Sequence, residues 1–158
     1  MIDTSDVTDV ADVAGDVARA LELLGRVPYG VVATSVRAMP FLAPARHVLT
    51  GDGVVLRLHG GPDCLQACDG GVVAYGADNL GSGAALRWSV QLTGTAHAME
   101  PGAPESALLG PVPRRPDGSP YTPAYLRLRP RFAAVHALDA TEGTGGHGSG
   151  ARPGHHAV

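Results

Sequence analysis

Lysine is absent from this sequence of 158 residues, so all 12 Lys/Arg positions are arginine. This absence excludes Schiff-base chemistry on a lysine amine and removes lysine as a ligand for phosphate groups. Aromatic residues are also scarce, at 4% of the chain. We therefore expect a core filled mainly by valine, leucine and alanine, with few stacking partners for a ring-shaped ligand.

An excess of positive charge is missing as well, because the net charge is -3 at pH 7. Neutralising nucleic acid phosphates requires a clustered excess of cations, so we predict no nucleic acid partner. No apolar run approaches the roughly 20 residues that a membrane span needs. The first 16 residues carry five aspartates, the opposite of the basic start of a signal peptide. We expect a cytoplasmic protein without a membrane partner.

Cysteine is limited to Cys64 and Cys68, whose spacing of four places both on one face of a helix. We interpret them as buried free thiols in a reducing cytosol. A zinc site would need further ligands at suitable spacing, and none stands nearby. His147, His155 and His156 lie in a flexible tract that would bind metals unspecifically. The sequence predicts no metal site.

The length suits one core, and we divide the chain into three segments. Residues 1–25 form an acidic segment and an amphipathic helix, with Val13, Val17, Leu21 and Leu24 on one face and Gly25 as the C-cap. Residues 26–138 form the folded domain. Residues 139–158 contain no core-forming side chains and are typical of a disordered tail rich in glycine and histidine.

The folded domain shows strand periodicity in several short segments. The predicted strands are 29–35, 41–49, 54–59, 72–78, 88–99 and 125–129 continued by 132–138. In the third strand, alternation places Val55, Arg57 and His59 on one face and an apolar stripe on the other. Asp63 is predicted to cap a short crossover helix that ends at Cys68, and the proline-rich residues 100–123 are predicted to be irregular.

This order of elements indicates a mainly β fold with α+β character, namely a mostly antiparallel six-stranded barrel with an N-terminal helix and a short crossover helix. A doubly wound sheet is disfavoured, because residues 29–58 read as hairpins rather than as strands alternating with helices.

Five segments in order carry a family resemblance: LELLGRVPYGVVATS (21–35), PARHV (44–48), GVVLRLH (53–59), VAY (73–75) and WSVQLTGTA (88–96). Together they resemble actinobacterial flavin-binding proteins similar to pyridoxamine 5'-phosphate oxidase. The resemblance implies a six-stranded split barrel, a homodimer, and FMN held in two grooves where the subunits meet.

The resemblance also implies which residues bind the cofactor. Arg57 and His59 match third-strand positions that reach the flavin phosphate and ribityl chain, with Leu58 between them; Arg46 and His47 flank the isoalloxazine. The ring donors are Thr34 and Ser35, and the residues that contribute across the dimer interface are Trp88 and Ser89. This chain departs from the family pattern after the third strand, where Asp63 and Cys64 stand in place of a segment with a phosphate-contacting lysine.

The function implied is that of an FMN-dependent oxidoreductase that moves a hydride between flavin and a small organic substrate. General acid or base help would fall to His47 or His59, because an imidazole titrates near neutral pH; no other catalytic residue is indicated. Alternatives are a noncatalytic split-barrel dimer that binds haem, deazaflavin or another ligand, and a purely structural dimer module.

Overall fold

The computed structural model describes residues 15–59 and 61–139. Helix α1 covers 15–24 within this part, and Gly25 follows it with its N–H bonded to the Leu21 carbonyl. Leu24 packs into the core and Leu21 is partly buried against it, as the amphipathic pattern predicts, whereas Leu23 is buried as well although it lies outside the predicted face. The acidic start of the chain, including Val13, and the tail from residue 140 lie outside the described residues.

Six strands and two more helices follow α1. The strands are β1 (Tyr29–Val36), β2 (Met39–Thr50), β3 (Gly53–Leu58), β4 (Val72–Asp78), β5 (Leu86–Ala98) and β6 (Ala124–Asp139); the helices are α2 (Gly61–Cys68) and α3 (Ala103–Leu109). No helix within the described ranges has both the length and the apolar character to cross a bilayer.

The strands close into one antiparallel barrel in the order β1-β2-β3-β6-β5-β4. The last strand closes it by pairing with β3 on one side and β5 on the other. It runs through Pro130, where the register with β5 shifts between Thr93 and Gly94. Such an irregularity lets a proline stand within a ladder. The predicted six-stranded antiparallel barrel, with its lead-in and crossover helices, is confirmed.

The barrel interior follows the alternation of β3. Val54, Leu56 and Leu58 are fully buried among the core residues, while Val55 and Arg57 point to the outer side. Valine, leucine and alanine supply most of this core, as the composition implies. The fold therefore presents the arginine of β3 on the outside of the barrel wall.

The prediction that residues 100–123 are irregular is wrong for α3. Pro104 lies in the first turn, where its missing N–H costs nothing, and the Glu105 carboxylate accepts a hydrogen bond from the Gly102 N–H. Leu109 is buried against Val48 and Val55 on the outer side of the barrel. The many prolines of this segment predicted no helix, but a local cap and tertiary contacts stabilise one.

Two smaller predictions are also corrected. Helix α2 begins at Gly61, so Asp63 lies inside its first turn rather than at the cap position. The connection between β1 and β2 is shorter than the predicted strand bounds of 35 and 41 imply. Met39 and Pro40 belong to β2, and only Arg37 and Ala38 form the turn. Both turn residues have positive φ, at 51° and 63°, which suits the primed turns of two-residue hairpins.

Candidate cofactor site on the outer face of β2 and β3

Two arginines lie side by side on the outer face of the barrel. Arg46 on β2 and Arg57 on β3 are directly opposite in the antiparallel register. Arg57 is only 2% exposed, and Arg46 is half-buried. Like charges at directly opposite positions destabilise a sheet, so this pair needs compensation from other groups.

The compensation comes from the C-terminal end of α3. Arg46 donates from Nε to the Leu109 carbonyl at 2.7 Å and from Nη2 to the Leu108 carbonyl at 3.3 Å. Arg57 donates from Nη1 to the Gly110 carbonyl at 3.0 Å. The last carbonyls of a helix lack partners within the helix and carry partial negative charge, so they attract cations.

No carboxylate neutralises the two arginines within the part of the chain that the structure describes. The ion pairs there join Arg26 to Glu22, and Arg127 to both Asp52 and Glu105. A buried cation that meets only carbonyl oxygens keeps a net positive charge in a medium of low polarity. The outer face of β2 and β3 therefore favours an anionic ligand.

Two buried nitrogen atoms at this place have no hydrogen-bond partner among the described residues. They are Nε of Arg57 and Nε2 of His59. Arg57 lies on the outer face of β3, and His59 follows directly after the last residue of this strand, which ends at Leu58 and not at His59 as predicted. Burial, and next the charge of Arg57, lower the pKa of His59 below its ordinary value of 6.5. Phosphate oxygens could accept from Arg57 and from the His59 Nε2–H tautomer, so the residues fit a phosphate-bearing cofactor.

Tyrosine rings frame the same place. The His59 ring centroid lies 6.2 Å from that of Tyr29 and 5.9 Å from that of Tyr121. The Arg46 guanidinium carbon lies 5.6 Å from the centroid of the Tyr29 ring, and the Tyr121 hydroxyl donates to the Leu58 carbonyl. The sequence pattern did not indicate either tyrosine as a site residue. Cross-strand register with Arg46 could have revealed Tyr29, whereas Tyr121 lies in the proline-rich segment and has no such signal.

His47 points to the other side of the barrel wall from Arg46. Its side chain is 4% exposed, with Nδ1 at 2.7 Å from the Tyr75 hydroxyl oxygen and Nε2 at 2.8 Å from the Leu24 carbonyl oxygen. Burial lowers its pKa below 6.5, although the hydrogen bond to Leu24 acts in the opposite direction. In this conformation His47 is a buried neutral ring that does not share the space around Arg57 and His59.

The remaining predicted residues lie elsewhere. Leu58 and Trp88 have their side chains in the core, at 0% and 3% exposure. Thr34 is half-buried and Ser35 exposed near the tip of the β1–β2 hairpin, and Ser89 is half-buried on β5. Within one chain the structure thus brings together the side chains of Arg46, Arg57 and His59, whereas the side chain of Leu58, although between two of them in sequence, points into the core.

The two cysteines are free and buried in α2, as predicted. Burial raises the pKa of Cys64 and, with the neighbouring thiol, raises the pKa of Cys68 to about 12. Thiols in this state are poor nucleophiles at neutral pH, because the thiolate is the reactive form. They pack in the core and take no part in the site.

Solved structures with a similar fold cover most of the chain. An FAD binding protein from Mycobacterium smegmatis matches with a TM-score of 0.58 and 19% identity, over 77% of this chain and 94% of that one. A Corynebacterium glutamicum protein provisionally assigned as a pyridoxamine 5'-phosphate oxidase matches with a TM-score of 0.58 and 20% identity, over 79% and 91%. The flavocytochrome Anf3 from Azotobacter vinelandii matches with a TM-score of 0.52 and 15% identity, over 78% and 71%.

These likenesses establish the split-barrel fold. No curated protein sequence matches the chain. The family model described as pyridoxamine 5'-phosphate oxidase matches residues 16–146, which include the whole barrel. The chain belongs to the pyridoxamine 5'-phosphate oxidase family.

Proposed function

We propose that the protein binds FMN on the outer face of β2 and β3 and acts as a flavin-dependent oxidoreductase on a small organic substrate. The observation that carries the proposal is the pair Arg46 and Arg57, opposite each other in register and without a carboxylate among the described residues. A phosphate monoester carries about -1.5 to -2 charges at pH 7, enough to balance two guanidinium groups.

The donor geometry supports a phosphate in particular. Arginine presents several N–H donors in a planar fork that matches phosphate oxygens, and such charge-assisted bonds are stronger than neutral ones. Nε of Arg57 and Nε2 of His59 supply two buried positions without a present partner. The missing family lysine is thus replaced by a second arginine and an imidazole rather than by Asp63 or Cys64.

The ring of the cofactor would lie against Tyr29 or Tyr121, which flank His59. Bound flavin supplies the hydride chemistry, and the chain's own residues bind the phosphate, orient the ring and exclude water from it. His59, which these two rings flank, is our candidate for moving a proton. The flavin-related names of two structural neighbours support the same ligand class.

A homodimer completes the proposal. One outward row crosses five strands and consists of Leu42, Ala33, Ala74, Thr93 and Phe132. Leu42 and Phe132 at its ends are 68% and 61% exposed, with smaller residues between them. An apolar surface of this kind marks an interface. The family resemblance implies that Trp88 and Ser89 contribute across this interface and that Thr34 and Ser35 donate to the flavin ring.

The test is a comparison of FMN with riboflavin, which lacks the phosphate. We expect wild-type protein to quench FMN fluorescence on titration and to bind riboflavin at least roughly tenfold more weakly. Arg57→Ala should abolish this preference, whereas Arg131→Ala, which removes an exposed arginine of β6, should retain it. Equal affinity for FMN and riboflavin would contradict the phosphate site, and no flavin binding would end the proposal.

Haem binding without catalysis is the second candidate, with the two arginines on the two haem propionates. It is favoured by the scarcity of proton-transfer groups, since His59 is the one imidazole that the described residues bring beside the arginine pair. Haemin titration distinguishes the two: a Soret band that saturates at one haem per chain, with no uptake of FMN, would favour haem. A deazaflavin cofactor with a phosphorylated side chain would instead follow the Arg57→Ala response of FMN.

A further inference from the structure

The C-terminal end of α3 occupies hydrogen-bond donors that the proposed phosphate would need. Three consecutive carbonyl oxygens, those of Leu108, Leu109 and Gly110, accept from Arg46 and Arg57 at 2.7 to 3.3 Å. Only Nε of Arg57 is left buried without a partner on this guanidinium. A phosphate held between the two arginines, at the place of the helix end, would compete with it for Nε and Nη2 of Arg46 and for Nη1 of Arg57.

Contacts other than the hydrogen bonds from the two arginines also hold α3 in this place. The Leu109 side chain is 2% exposed and packs with Val48 and Val55. The Glu105 carboxylate lies 3.1 Å from the Arg127 guanidinium. These two anchors can be weakened by substitution without any change to the phosphate-binding side chains.

The electrostatic balance favours an incoming phosphate. The end of a helix carries about half of one negative charge, whereas a phosphate monoester carries about -1.5 to -2. In the absence of an anion, the carbonyls are the best acceptors that the fold offers to the arginine pair. In its presence, the larger charge should win and the helix end should leave.

We propose that the end of α3, from Leu108 to Gly110, is a built-in competitor of the phosphate site, and that an anionic ligand binds by displacing it. This inference rests on the proposed function, because it concerns the same arginine pair. The affinity for the anionic ligand then depends on how tightly α3 is anchored, because only protein molecules whose helix end is released can bind this ligand with both arginines.

The decisive measurement is the sign of the change in FMN affinity when α3 is loosened. Leu109→Ala and Glu105→Gln each weaken one anchor, and we expect each to bind FMN more tightly than wild type, by roughly tenfold for the larger effect. Leu80→Ala, an exposed leucine in the β4–β5 loop, is the matched control and should leave the affinity unchanged. Unchanged or weaker binding in both loosened variants would overturn the inference, because α3 would then be indifferent or would position the arginines.

A second measurement does not depend on flavin. Inorganic pyrophosphate added to the wild-type protein should speed amide hydrogen exchange in α3, including the Gly110 N–H that now bonds to the Ser106 carbonyl. If pyrophosphate releases α3 but the protein does not bind FMN, the displacement of α3 by an anion stands and the proposed FMN binding is rejected. If the protein binds FMN without any change in the hydrogen exchange of α3, and Leu109→Ala and Glu105→Gln bind FMN as tightly as wild type, the flavin site stands and the competitor is rejected. No response to either ligand would overturn both.

Discussion

Nδ1 of His47 lies 2.7 Å from the hydroxyl oxygen of Tyr75 inside the barrel, and this contact is part of a chain of hydrogen bonds. Nε2 faces the Leu24 carbonyl and must therefore donate, so in the neutral ring Nδ1 accepts from the tyrosine. The same hydroxyl lies 3.3 Å from the Ala45 carbonyl, and its single hydrogen serves one acceptor at a time. The chain joins α1, β2 and β4 through one imidazole.

Acid should destabilise the protein through His47. Because burial lowers its folded pKa below 6.5, the unfolded chain binds the proton more readily, and stability falls as pH drops below 6.5. The slope contributed by one proton is at most about 1.4 kcal/mol per pH unit. We expect His47→Gln to lose less unfolding free energy than wild type between about pH 7.5 and 5.5 in urea denaturation.

His136→Gln, at an exposed histidine, is the control and should keep the wild-type slope. His59 also has a lowered pKa and contributes in the same direction, but it is present in all three proteins and cancels. Equal slopes in wild type and His47→Gln would contradict the role of His47.

Tyr75→Phe should be costly although it removes only one oxygen atom. Nδ1 of His47 would remain buried without its donor, and such a loss costs about 1 to 3 kcal/mol. Urea denaturation measures the difference. Tyr125→Phe, at a half-buried tyrosine on the outer face, is the comparison, and a cost for Tyr75→Phe no larger than for Tyr125→Phe would show that the bond contributes nothing.

Gly30→Ala should disrupt the packing of the same tyrosine. A Cβ at Gly30 would lie 2.4 Å from the Gly76 carbonyl oxygen and 2.6 Å from the end of the Tyr75 ring, too close for either. Overpacking of this kind costs about 1 to 3 kcal/mol. Gly81→Ala, where a Cβ meets nothing within 4 Å, should be neutral. Equal melting temperatures for the two variants would contradict the steric argument.

Arg57→Met should separate stability from binding. A buried cation without a carboxylate partner adds little stability, so an apolar side chain of similar length should change the unfolding free energy by less than about 1 kcal/mol. Inorganic pyrophosphate at about 100 times its Kd should stabilise the wild type by about 2.7 kcal/mol, and Arg57→Met not at all. Thermal denaturation with sodium chloride at equal ionic strength is the control, and equal stabilisation of both proteins by pyrophosphate would contradict the site.

Leu42→Asp should prevent self-association. The substitution places a carboxylate at one end of the exposed apolar row and would bury it in the proposed dimer. We expect sedimentation velocity to show a dimer for wild type and a monomer for Leu42→Asp. Leu80→Asp, which adds the same charge in the β4–β5 loop, should remain dimeric, and a monomeric wild type would reject the interface.

Some predicted elements agree with the structure and others do not, for reasons that differ from one segment to the next. Alternation in β3 identified which side chains face the core, because the two sides of a strand meet different environments at every second residue. Helix α3 escaped prediction because proline usually breaks structure, and its first turn is the one place where a helix accepts it. The burial of Arg57 was not predicted either, since an arginine on an outward strand face is ordinarily solvated.

The amino-acid sequence by itself determined the barrel class, the inward stripe of β3 and the family resemblance, because these depend on periodic side-chain polarity and on the order of segments. Only the tertiary structure decided that Arg46 and Arg57 meet the end of α3, and that His47 turns inward to Tyr75 and Leu24. Most of those partners are backbone carbonyls, which every residue possesses. A pattern of side chains therefore could not predict which carbonyl would accept a hydrogen bond from an arginine.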